Sequence, residues 1–130
     1  MKTVIIEDEF VAAQTLQRLL KEIDKDIEVI TVLQSVEDSI EWFSENHSPD
    51  LVFMDIHLAD GSSFNIFDGT TISCPIIFTT AYDEYALKAF EVNGIDYLLK
   101  PINSKRLEHA LEKYRNLSST QNQSEAIANL

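Results

Sequence analysis

Acidic, hydroxyl and amine side chains directly follow short apolar runs at four places in this sequence of 130 residues. In chain order, these side chains are Glu7 with Asp8, Asp55, Thr79 with Thr80, and Lys100. The apolar runs before them are typical of strands that are buried on both faces. Because open α/β sheets bind their ligands at the carboxyl ends of the strands, we expect these side chains to meet at one edge of a sheet.

Three carboxylates at one edge point to a bound cation. Glu7, Asp8 and Asp55 would raise one another's pKa unless a positive charge joined them. Ligand sets that contain only oxygen suit hard ions, and Mg²⁺ is typically held by one or two carboxylates together with water and phosphate. The sequence therefore predicts a Mg²⁺ site.

The same group of residues is suited to phosphoryl transfer. Asp55 is the candidate nucleophile, since an aspartate can take a phosphoryl group to form an acyl phosphate. Thr80 offers a hydroxyl to one phosphoryl oxygen, and Lys100 offers a compact positive charge to another. Mg²⁺ and Lys100 together would balance the three carboxylates, and the remaining work is positioning and charge neutralisation.

Helical patterns fill the intervals between the apolar runs. The predicted strands are 3–6, 28–33, 51–55, 76–78 and 97–99, and the predicted helices are 12–23, 36–43, 64–68, 83–92 and 104–117. Ser35 and Asn103 are the expected N-caps of the second and last helices, and Asn93-Gly94 is the expected end of the fourth. Strands that alternate with helices in this way predict a parallel sheet with helices on both faces.

Composition excludes several classes of protein. A content of 45% apolar and 25% charged residues is ordinary for a soluble globular protein. Cys74 is the only cysteine, which excludes an internal disulfide and a cysteine-based zinc site. The net charge of -12 argues against nucleic-acid binding by this chain itself. With no membrane-length apolar stretch and no leader-like N-terminus, we expect a cytoplasmic protein that does not enter the membrane.

The ordered motifs resemble the receiver domain of two-component response regulators. They are Glu7-Asp8, Asp55, Thr80-Ala81 and Lys100-Pro101, on alternating strands. The resemblance covers about residues 2–117 and implies a flavodoxin-like (CheY-like) α/β fold. In that fold a doubly wound, five-stranded parallel sheet has the strand order 2-1-3-4-5, with helices on both faces.

The resemblance also implies roles for single residues at a metal site. Asp55 would be the phosphoacceptor. Asp8 would ligate Mg²⁺ directly, Glu7 would act through water, and the backbone carbonyl of His57 would complete the site. The family often has Asp where Glu7 stands, so the side chain here is one methylene longer.

A second group of implied roles concerns the switch. Thr80 would be the switch hydroxyl and Tyr97 the switch aromatic, and the Lys100–Pro101 bond is expected to be cis. Tyr82 is expected to slow hydrolysis of the acyl phosphate. A sensor histidine kinase would be the donor, so the chain would not be a conventional enzyme. Phosphorylation would repack the face of the fourth helix, fifth strand and last helix and promote a homodimer.

The stretch 89–101 is similar to receivers that are joined to LytTR-type (LytR/AlgR-like) DNA-binding domains. We therefore expect a receiver domain over 1–117. Residues 118–130 are rich in Ser, Gln and Asn and are expected to be a linker or frayed helix end that leads to an output domain absent from this chain. DNA would be bound only through that domain, in transcription regulation.

Three other interpretations compete with this one. A haloacid-dehalogenase-type phosphatase needs a second aspartate two residues after the first, and His57 occupies that position. A flavodoxin-like FMN carrier needs a phosphate loop rich in Ser, Thr and Gly, whereas Glu7, Asp8 and Glu9 would repel phosphate. The remaining alternative is a stand-alone or phosphorylation-independent receiver that acts as a protein–protein interaction module.

Overall fold

Five parallel strands form the central sheet in the computed structural model, which describes residues 1–81 and 94–128 and the side chains up to residue 117 within those ranges. The strands are β1 (Lys2–Ile6), β2 (Glu28–Leu33), β3 (Leu51–Asp55), β4 (Ile76–Thr80) and β5 (Gly94–Leu99). Their order across the sheet is β2-β1-β3-β4-β5, which is the predicted order. The predicted helix over 83–92 and Tyr82 lie outside the described residues.

Helices cover both faces of the sheet. They are α1 (Phe10–Ile23), α2 (Val36–Glu45), α3 (Ile66–Gly69), which follows a 3-10 turn at Ser63–Asn65, and α4 (Ser104–Ala128). Both predicted N-caps are confirmed. Ser35 Oγ accepts the Asp38 N–H at 3.0 Å, and Asn103 Oδ1 accepts the Arg106 N–H at 2.8 Å. These bonds satisfy amide groups that a helix leaves without an internal partner.

The apolar run of β3 is buried along its whole length because each face of the sheet has its own core. Val52 and Met54 belong to one core, and Leu51 and Phe53 belong to the other, as expected for side chains that alternate along a strand. The first core includes Val36, Phe43, Phe64 and Ile66, and the second includes Leu16, Leu20, Leu107 and Leu111. The four positions from Leu51 to Met54 therefore all need apolar residues, whereas an exposed face would permit polar residues.

Two elements differ from the sequence prediction. The stretch between β3 and the predicted helix 64–68, where no strand was predicted, begins with an antiparallel hairpin that pairs His57–Leu58 with Gly61–Ser62. Gly61 has a φ of 140°, a conformation that residues with a side chain rarely adopt. β5 begins at Gly94, three residues before the predicted strand 97–99, and Gly94 pairs with Ile76. The predicted end of the fourth helix at Asn93 lies outside the described residues. The backbone ladder to β4 outweighs the low strand preference of glycine there.

The last helix extends beyond its predicted range of 104–117. Leu107, Ala110 and Leu111 are buried in the core, and the backbone remains helical to Ala128. In the part of the chain that the structure describes, every helix is too short or too polar to cross a bilayer.

Candidate functional site

The carboxyl edge of the sheet brings together the charged residues that the sequence analysis selected. Glu7 and Asp8 follow β1, Asp55 ends β3, and Lys100 follows β5. Glu7, Asp8 and Asp55 each offer a carboxylate oxygen, and these oxygens lie within 4.8 Å of one another. The parallel strands therefore converge in the way that the strand-end pattern predicts.

Lys100 joins two of these carboxylates. Its Nζ donates to Glu7 Oε1 and, at 3.0 Å, to Asp55 Oδ2. The Glu7 and Asp55 side chains are only 6% and 8% exposed, and that of Lys100 is 23% exposed. The site is thus a partly buried ion-pair network in which one ammonium faces two carboxylates, with Asp8 as a third acid beside them.

This crowding changes the ionisation of Glu7 and Lys100. Burial raises the pKa of Glu7 from 4.5 to about 7; the hydrogen bond from Lys100 opposes the shift, and Asp55 adds to it. Burial alone would lower the pKa of Lys100, yet its hydrogen bonds to Glu7 and Asp55 outweigh that effect and raise it. With every group ionised, the three carboxylates exceed the single ammonium by two negative charges. Oxygen ligands with this excess of charge fit a hard divalent cation.

The alternation of β4 separates two neighbouring threonines. Ile77 packs in the core beside α1 and α4, and Phe78 packs in the core beside α2. By the same alternation, Thr79 lies on the Ile77 face and Thr80 on the Phe78 face. Thr80 is completely buried, and its carbonyl accepts the Lys100 N–H at 2.7 Å.

Tyr97 lies on the same face of the sheet as Thr80. It is the register partner of Phe78, and its half-buried ring packs against the core beside α2. Because partners on adjacent parallel strands share a face, Thr80 and Tyr97 lie on one side of the sheet.

His57 and Pro101 flank the acidic cluster. The His57 N–H donates to Asp55 Oδ1 at 3.3 Å, while the residue itself is exposed on the hairpin. Asp55 therefore accepts one hydrogen bond on each carboxylate oxygen, from His57 and from Lys100. The Lys100–Pro101 peptide bond is cis.

One residue of this edge was not found from the sequence. Asp60, in the turn of the hairpin, accepts the N–H groups of Val36 at 2.9 Å and Glu37 at 3.2 Å. These two N–H groups open α2, so an acid from a distant loop shares in capping that helix. An Asp followed by Gly indicates a turn, and nothing local in the sequence shows which helix the turn will reach.

Comparison with known proteins agrees with this architecture. The chain matches the model of the response regulator receiver domain over residues 3–112. It is 40% identical over 124 residues to the sensory transduction protein LytT of Bacillus anthracis, covering 93% of this chain and 50% of that protein. It is 38% identical over 135 residues to the transcriptional regulatory protein LytR of Staphylococcus aureus, covering 99% of this chain and 53% of that protein. The chain thus spans about half the length of the curated relatives it matches.

A solved structure gives the same result. The response regulatory domain of protein mrkE from Klebsiella pneumoniae superimposes with a TM-score of 0.74 at 31% identity, covering 95% of this chain and 99% of that one. The matched region includes every strand end that carries an acidic, hydroxyl or amine residue of the site. The chain therefore belongs to the response regulator receiver domain family.

Proposed function

We propose that this receiver domain is a phosphorylation switch in which Asp55 takes a phosphoryl group from a sensor histidine kinase in the presence of Mg²⁺. The observation that carries the proposal is the meeting of three carboxylates within 4.8 Å, two of them hydrogen-bonded to Lys100. If Asp55 had only a structural role at the end of its strand, two further carboxylates and an amine beside it would not be required.

The residues present fit a magnesium ion. Asp8 and Asp55 would hold it directly with the backbone carbonyl of His57, and Glu7 would act through water. When bound, the ion supplies positive charge for the phosphoryl oxygens. Asp8 is half-buried while Glu7 and Asp55 are buried, so the site has an open side on which water or phosphate can complete the ligand set.

The reaction itself needs little more than positioning. An Asp55 oxygen forms a bond to phosphorus as the bond from phosphorus to the donor's imidazole nitrogen breaks, and the imidazole leaves. His57 and Lys100 hold the two Asp55 oxygens before attack. Afterwards Lys100 and the Thr80 hydroxyl bind the new phosphoryl oxygens, with the charge-assisted bond being the stronger. The chain catalyses only its own phosphorylation and dephosphorylation, and is not a conventional enzyme.

The output follows from the shared face of Thr80 and Tyr97. The phosphoryl group brings about -1.5 to -2 charges and draws Thr80 and Lys100 towards it. Tyr97 then fills the space left beside Thr80. The face of β5 and α4 repacks and favours a homodimer.

The domain organisation is part of the same proposal. Residues 1–117 form the receiver, and 118–130 connect it to a DNA-binding output domain through which transcription is regulated. Two features support this: the relatives LytT and LytR are about twice as long as this chain, and α4 runs without a break to Ala128.

The proposal is tested by intact mass spectrometry. The chain is incubated with Mg²⁺ and acetyl phosphate, a small phosphodonor, and we expect a gain of one phosphoryl group. The Asp55→Asn variant and a sample with EDTA gain none, while Asp68→Asn, which changes an exposed aspartate on α3, gains the same as wild type. A receiver that acts only as an interaction module predicts no gain in wild type, and that result would contradict the switch.

A further inference from the structure

Two side chains of the hairpin after β3 connect it to its surroundings: Leu58 is buried in the core that also contains Val36 and Phe43, and Asp60, at the tip, contacts the start of α2. Asp60 Oδ1 accepts the Val36 N–H at 2.9 Å and Oδ2 accepts the Glu37 N–H at 3.2 Å. Both oxygens of one carboxylate are therefore used on consecutive amides of α2. The pKa of Asp60 is lowered, first by the bond from Val36, so the charged form is the one that binds.

The hairpin carries this attachment towards the acidic site. Leu58 pairs with Gly61 and His57 pairs with Ser62, so the turn that contains Asp60 is separated from His57 by one pair of the ladder. The His57 N–H then donates to Asp55 Oδ1 at 3.3 Å. A short chain of backbone bonds thus links the Asp60 carboxylate to the residue that contacts the phosphoacceptor.

The other end of the attachment is fixed. The Asp38 N–H of α2 is already bonded to Ser35, and the Val36 and Phe43 side chains are buried in the core beside the sheet. The start of α2 cannot shift without disturbing that core. Asp60 therefore holds the tip of the hairpin to a rigid element. Residues that hydrogen-bond to a metal ligand orient that ligand in a similar way.

We propose that Asp60 is a positioning residue of the phosphorylation site. By holding the hairpin to α2, it sets where the His57 backbone presents its N–H to Asp55 and its carbonyl to the cation. This inference rests on the proposed function, because the position of the His57 backbone affects the reaction only if Asp55 takes a phosphoryl group beside a bound divalent ion. It adds to that function a residue outside the acidic cluster.

Three variants separate positioning from charge and from helix stability. Asp60→Ala removes both bonds to α2. Asp60→Asn removes the charge but keeps one oxygen that can accept from Val36. Ser35→Ala is the matched control, because it also removes a cap from the start of α2 but is not part of the hairpin. Each variant is measured for its Mg²⁺ dissociation constant by calorimetry, for its phosphorylation by acetyl phosphate across Mg²⁺ concentrations, and for amide hydrogen exchange without metal.

We expect Asp60→Ala to weaken Mg²⁺ binding by roughly tenfold, the lower end of what loss of an outer partner costs a metal site. Its maximal phosphorylation rate should return at saturating Mg²⁺, and the His57 amide should exchange faster in the metal-free protein. Asp60→Asn should lie between Asp60→Ala and wild type. Ser35→Ala should keep wild-type Mg²⁺ affinity and His57 exchange despite lower stability.

Several results would overturn the inference. The first is an unchanged Mg²⁺ affinity in Asp60→Ala. The second is an equal loss of Mg²⁺ affinity in Asp60→Asn and Asp60→Ala, which would assign the effect to the Asp60 charge. The third is an equal loss of Mg²⁺ affinity in Ser35→Ala, which would assign the effect to the stability of α2. Failure of the proposed function is distinguishable, because wild type would then neither bind Mg²⁺ nor gain a phosphoryl group. The exchange of the His57 amide would still report whether Asp60 holds the hairpin.

Discussion

Replacing Glu7 by Gln should make the metal-free protein more stable above pH 7, although it removes a negative charge that faces Lys100. Glu7 is buried, and burial raises its pKa from 4.5 to about 7. The folded protein therefore resists ionising this side chain, whereas the unfolded chain ionises it freely. Gln keeps the shape of the protonated acid and carries no such cost.

The magnitude and sign follow from proton linkage. Between pH 4.5 and about 7 the folded protein holds a proton that the unfolded chain has lost, so the free energy of unfolding falls as pH rises through this window. The stability that protonated Glu7 contributes is fully present below pH 4.5 and is gone above about pH 7. At about 1.4 kcal/mol per pH unit, the interval from 4.5 to about 7 corresponds to about 3 kcal/mol. Because the bond from Lys100 to Gln is no longer charge-assisted on both sides, the gain in the free energy of unfolding from Glu7→Gln should be smaller than this value.

The assay is urea denaturation in EDTA across this pH range. Trp42, the only tryptophan in the sequence, is half-buried. Its ring lies edge-to-face with that of Phe43, with 4.9 Å between the ring centroids, so its fluorescence should report unfolding. Wild type should lose stability through the window, while Glu7→Gln should show a flatter profile and exceed wild type above pH 7. Glu41→Gln, the same change at an exposed position of α2, should follow wild type.

Two outcomes would refute this reasoning. One is a Glu7→Gln profile that runs parallel to wild type between pH 4.5 and 7. The other is lower stability of Glu7→Gln than of wild type above pH 7 without metal. Either would mean that the Lys100 ion pair outweighs the cost of burying the Glu7 charge.

Three further predictions concern the scaffold. Burial raises the pKa of the Cys74 thiol to about 12, so iodoacetamide should label folded protein far more slowly than urea-unfolded protein, and equal rates by mass spectrometry would count against this burial. Phe53→Ala, which empties a ring-sized space in the core beside α1, should lower the free energy of unfolding by about 3–5 kcal/mol in urea titrations, and a loss under 1 kcal/mol would be inconsistent with it. Gly61→Ala should cost about 1–3 kcal/mol in the same assay because φ is 140° there, and unchanged stability would argue against this conformation.

The sheet and its site edge were predictable because their signals are local. Four apolar residues ending at Asp55 indicate a strand buried on both faces, and parallel strands must present their carboxyl ends at one edge. Glu7 and Lys100 could therefore be placed together although they are 93 residues apart in the chain. Thr80 and Tyr97 fell on one face because side chains alternate along strands.

The features that sequence reasoning missed depend on tertiary contacts. Gly94 has a low preference for strands, and it joins β5 because Ile76 offers it a backbone ladder. Leu58 and Gly61 form a hairpin in a stretch whose composition indicates only a loop. The bond from Val36 to Asp60 joins residues 24 positions apart, and no periodic pattern connects them.

The most direct test of the phosphorylation switch is to locate the phosphoryl group. The chain is treated with acetyl phosphate and Mg²⁺, reduced with borohydride so that an aspartyl phosphate becomes homoserine, and mapped by peptide mass spectrometry. Conversion at Asp55 and at no other aspartate is the predicted result. Conversion at Asp8, or none in wild type under conditions where Mg²⁺ binds, would contradict the assignment of Asp55 as the acceptor.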